Sequence, residues 1–100
     1  MSNVFPNDLV AALDATGRSW RLTRFEFCSP RRWEGMVWER DDRHEPGDKV
    51  AIFEHEDLVV VMRMLLLLAD FDERLGRWPG AEEREALLRV ATSDEEPVDA

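Results

Sequence analysis

Apolar residues recur along this chain with two different periods. Phe5, Leu9, Val10 and Leu13 return at spacings of three and four, the signature of one helix face. Pro6 suits the first helical turn and Gly17 suits the stop, so the pattern predicts a helix over 6–15. From Ser19 to Cys28, SWRLTRFEFC, the period becomes two, with high aromatic content, and a strand is expected. Trp20 and Leu22 fall on one parity and Phe25 and Phe27 on the other. Either a bulge at Arg24 shifts the phase, or the strand carries one apolar pair on each face. Trp33 to Arg40, WEGMVWER, reads as a second strand with bulk on both faces, which predicts cover on both sides. Gly35 within it marks a bulge or a close approach. Lys49 to His55, KVAIFEH, reads as a third strand.

Leu58 to Leu68, LVVVMRMLLLL, has ten apolar residues in eleven. Asp57 is a good N-cap and Gly76 a good residue after the last turn, which predicts a helix over 58–75, about 27 Å long. The rival reading makes 58–64 a fourth strand, because three consecutive valines prefer strand, with a helix from Leu65. Met, Leu and Ala in the second half favour the single helix. Bilayer spanning is disfavoured: about 20 apolar residues are needed, and Arg63 interrupts the run. Residues 81–91, AEEREALLRVA, read as a short helix with its acids leading.

These elements predict a small α+β domain over 1–92, in the order α-β-β-β-α-α, followed by a flexible acidic tail over 93–100. The sheet is antiparallel and three-stranded, or four-stranded if 58–64 is extended. The long helix is apolar on nearly all sides and needs cover on nearly all sides. It is expected to be core first. Met62, Met64 and Leu66 are candidates for a side left over for an oligomer interface, as in a homodimer.

Charge changes this picture. The net charge is −9, unevenly spread. Residues 18–43 hold seven Arg against five acids, and residues 79–100 hold seven acids against two Arg. Such a chain repels nucleic acid and anionic lipid and favours basic partners. Cys28 is the single cysteine, so no internal disulfide is expected. The N-terminal MSNVFPNDLV lacks signal-peptide character, and a cytoplasmic location is expected.

Candidate chemistry is thin. His44, Glu45, His55, Glu56 and Asp57 are metal-ligand types without the spacing of a metal motif, and no metal or cofactor is expected. Cys28 with His44 or His55 would make a thiolate pair, but a lone strand-end cysteine is more often buried and inert. No enzymatic activity is expected. Trp20, Phe25, Phe27, Trp33 and Trp38 alternate with Arg18, Arg21, Arg24, Arg31, Arg32, Arg40 and Arg43, a mixture found in single-strand nucleic-acid binders. The charge favours a blander reading, with aromatics toward the core and arginines in water pairing with Glu26, Glu34 and Glu39.

Binding is therefore expected to be to a protein with a basic surface. The candidate contacts are Glu82, Glu83, Glu85, Asp94, Glu95 and Glu96, with Trp33, Trp38 and Trp78 as aromatic anchors. Spaced carboxylates can occupy sites meant for phosphates, imitating nucleic acid. Small size, acidity and the lack of a catalytic constellation are shared with phage and mobile-element inhibitors of nucleic-acid machinery, of the anti-CRISPR or anti-restriction kind. That parallel is one of composition. The alternative is a homo-oligomeric accessory protein built on the 58–69 helix.

Overall fold

The computed structural model describes residues 7–25, 32–39 and 49–93. The chain runs through α1 (Asn7–Ala15), β1 (Trp20–Phe25), β2 (Arg32–Trp38), β3 (Val50–His55), α2 (Leu58–Leu75) and α3 (Ala81–Thr92). The strands form one antiparallel sheet in the order β1-β2-β3. This is the expected α+β arrangement. The expected 6–15 helix starts at Asn7, and Pro6 lies outside the described residues, as do the proposed tail residues 94–100.

Strand register assigns the two faces of the sheet. Trp20↔Val37, Leu22↔Gly35 and Arg24↔Trp33 pair across β1 and β2, and Val37↔Ala51, Gly35↔Phe53 and Trp33↔His55 across β2 and β3. These residues share one face, because side chains alternate along a strand. The other face carries Arg21, Thr23 and Phe25, then Arg32, Glu34, Met36 and Trp38, then Val50, Ile52 and Glu54. The register runs without a break through Arg24 to Phe25, so β1 has no bulge there. The phase shift in its sequence reflects apolar residues on both faces instead. Phe27 and Cys28 lie outside the described residues.

Gly35 explains where α2 lies. A Cβ placed there would meet Val61 Cγ1 at 2.6 Å and Leu65 Cδ1 at 2.9 Å. The missing side chain lets the helix settle onto the middle of β2. Val59–Val61 are helical, so the strand alternative for 58–64 does not hold. Asp57 caps the helix through its side chain, which accepts from the Val59 N–H at 2.9 Å. Gly76 ends it in the left-handed region, with φ 72°.

The core is the buried face of α2 and what meets it. Val61, Met62, Met64, Leu65 and Leu68 are fully buried, as are Leu13 of α1 and Val37 of β2. Ala51 of β3 and Ala91 of α3 are buried in the same core. Both short helices pack on α2, and α2 packs on β2 and β3. Met36 and Trp38, on the opposite sheet face, are half-buried. No helix among the described residues is long and apolar enough to cross a membrane.

Candidate functional site

Polar residues on the helix side of the sheet gather at two places. The first centres on Arg18, just before β1. Its side chain is 2% exposed and ion-pairs with Asp72 and Glu73 of α2, each at 2.9 Å. The same guanidinium donates to the Trp38 carbonyl at 3.3 Å and lies 5.8 Å from the Trp78 ring centroid. The expectation that the arginines of 18–43 face water therefore fails for Arg18. Arg24 is exposed as expected, with its guanidinium over the Trp33 ring, 5.7 Å from the centroid. Arg32 pairs with Glu54 of β3 at 3.7 Å. Beside Arg18 is a shallow concavity of about 260 Å³, lined by Thr16, Leu66, Ala69, Asp70 and Glu73. The guanidinium is already matched by two carboxylates and a carbonyl, so this is a structural clamp.

The second place lies between α3 and β3. Backbone pairing shows which way β3 presents its outer edge. The Trp38 N–H donates to the Ser19 carbonyl, and the Glu39 N–H donates to the Lys49 carbonyl. Even-numbered residues of β2 thus bond to β1 and odd-numbered ones to β3. The backbone groups of Val50, Ile52 and Glu54 point away from β2, at the free edge. Arg84 of α3 reaches across and donates to the Ile52 carbonyl. A guanidinium on an edge strand blunts it against pairing with other chains.

Between α3 and that edge runs an open trough of about 350 Å³. Phe53, Ala81 and Leu88 supply its apolar lining, and Glu82, Arg84 and Glu85 its charged one. The His55 ring lies parallel to that of Phe53, with the centroids 6.2 Å apart. The His55 Nδ1 accepts from the Asp57 N–H at 3.0 Å. His55 thus serves the β3–α2 turn.

The acids of α3 divide into two kinds. Glu83 is committed within the chain: its carboxylate pairs with both terminal nitrogens of Arg77, at 2.9 and 3.0 Å. It also accepts from the Gly80 N–H at 2.8 Å, one half of a capping box whose other half glycine cannot supply. The Arg77 hydrogen bond, helped by the Gly80 N–H, holds the Glu83 carboxyl well below its ordinary 4.5, at about 2. Glu82 and Glu85 are exposed and have no ion-pair partner among the described residues.

The sequence-predicted contacts do not form one surface. Glu82 and Glu85 sit together on the trough, whereas Glu83 is turned back to Arg77. Trp33 is on the helix-side face of the sheet and Trp38 on the opposite face. Trp78 packs against the core, with its Nε1 buried and unpartnered among the described residues. Met62 and Met64 have no exposed surface, so neither offers an oligomer interface; Leu66 is half-buried. Asp94, Glu95, Glu96, Cys28, His44 and Glu45 lie outside the described residues, as do Arg31, Arg40 and Arg43. Among the described residues, no three His, Cys, Asp or Glu side chains gather as a metal-holding group.

Sequence reasoning did not single out Phe53, Leu88 and Arg84 as neighbours. Phe53 reads as an ordinary strand residue and Leu88 as part of an amphipathic face. The one available signal is Arg84, a base set among Glu82, Glu83 and Glu85. Compared with protein-family models, curated proteins and solved structures, the chain matches none.

Proposed function

We propose that the chain is a non-enzymatic, acidic protein-binding module that acts by occupying a basic surface of its partner. One observation carries this reading: much of the described positive charge is spent inside the molecule. Arg18, Arg32, Arg74 and Arg77 are in ion pairs. Arg63 donates to the Ala91 carbonyl and Arg84 to the Ile52 carbonyl. The surplus behind the net charge of −9 is therefore left on carboxylates outside these pairs, Glu82 and Glu85 among them. A field of that sign steers basic surfaces toward the molecule and raises their association rate.

Basic surfaces large enough to select such a module belong above all to proteins that handle nucleic acid. The reading extends on that ground to an inhibitor of nucleic-acid machinery, of the anti-CRISPR or anti-restriction kind. The burial of Met62 and Met64 weighs against the homo-oligomer built on α2.

The test is affinity capture from a bacterial lysate at low and high salt, with the wild-type chain and an E82Q/E85Q/D94N/E95Q/E96Q variant. The expected result is a basic protein that elutes as salt rises, because exposed pairs are screened, and that the variant does not retain. A partner held equally well by the variant overturns the reading.

A further inference from the structure

We infer that the trough between α3 and β3 seats a short segment of the partner protein, one that places an apolar side chain next to a Lys or Arg. The inference rests on the reading of the chain as a docking module for a basic partner, and it names the site and the chemistry. The apolar side chain packs on Phe53 and Leu88, which are half-buried and line the trough together with Ala81. The cation sits between Glu82 and Glu85. These residues are three apart on α3, so their side chains rise from one helix face about 5–6 Å apart, within reach of a single guanidinium or ammonium.

Helix electrostatics account for Glu82, which lies in the first turn of α3. They do not account for Glu85, which lies beyond it. Nor does pairing within the chain, since Glu85 has no ion-pair partner among the described residues. Arg84 places a positive charge in the same trough, but its guanidinium is tied to the Ile52 carbonyl. Two carboxylates against one committed guanidinium leave the trough one negative charge in excess, which a single cation balances. The open form of the trough suits a segment laid along it better than an enclosed small molecule.

The experiment is a titration of the isotope-labelled full chain, followed through its backbone amides, with two probes: a peptide of Leu and Lys only, and a peptide of the same charge made of Lys alone. The expected result is saturable shifts at Phe53 and across 81–88 with the Leu/Lys peptide, weaker binding of the Lys peptide, and affinity reduced about tenfold in E82Q/E85Q, the loss of two exposed charge contacts. Glu82 and Glu85 are exposed, so the variant is expected to fold, and its unperturbed spectrum elsewhere verifies that. Equal binding of the two peptides, or affinity in E82Q/E85Q within about twofold of wild type, overturns the trough. Shifts confined to other acidic segments overturn the trough but leave the docking reading standing. Absence of binding by either peptide overturns both.

Discussion

Gly35 lies under α2, and the tightness of that contact is set by single atoms. A methyl group there meets Val61 and Leu65 within 3 Å, and both are fully buried with nowhere to retreat. Gly35→Ala is expected to cost about 1–3 kcal/mol through overpacking, read as a lower urea midpoint without loss of secondary structure. An unchanged midpoint would show that α2 stands further from the sheet. The role of this glycine was partly legible: a glycine among large strand residues signals either a bulge or a close approach, and the register selects the second. The role of Arg18 was not legible. It is one of seven arginines in 18–43, and its partners Asp72 and Glu73 are 54 and 55 residues away. Nothing in local pattern distinguishes it from Arg21, which is exposed.

At the level of elements, the ends decide the readings that composition leaves open. Three valines in a row favour strand, yet Asp57 and Gly76 bracket an 18-residue helix that includes them. A cap fixes the costly first turn, and propagation through the Met and Leu residues that follow outweighs a small β preference. The strands were legible because their period is two, although the break in parity at Phe25 pointed equally to a bulge. The start of α3 gives a pH prediction. Glu83 has its carboxyl lowered to about 2 by Arg77 and the Gly80 N–H. A group with a depressed folded-state value stabilises the fold above its ordinary 4.5, and that contribution is lost as pH falls toward 2. Glu83→Gln keeps an acceptor for Gly80 but removes the charge. The thermal midpoint of the variant is therefore expected to fall less steeply than that of wild type between those pH values; parallel curves would contradict the assignment.

For the whole molecule, Arg18 joins the segment before β1 to the end of β2, the last turns of α2 and the connector to α3. Arg18→Met leaves Asp72, only 17% exposed, without its partner, and is expected to cost about 3 kcal/mol, as breaking buried pairs does. Glu73 is half exposed and adds little to that figure. Lysine at this position is expected to recover only part of the loss, since an ammonium cannot present the planar fork that meets both carboxylates. Denaturant unfolding of R18M and R18K checks both statements, and a loss below about 1 kcal/mol in R18M would reduce the clamp to an ordinary surface pair. The sheet precedes its cover in the sequence, and that order matters while the chain is being made. When β1, β2 and β3 have left the ribosome, Leu22, Val37, Ala51 and Phe53 face water until α2 follows. For that interval the nascent chain is an uncovered sheet with two open edges, the form most prone to join another of its kind. The apolar run at Leu58–Leu68 is thus also what ends the newborn protein's exposure to its neighbours.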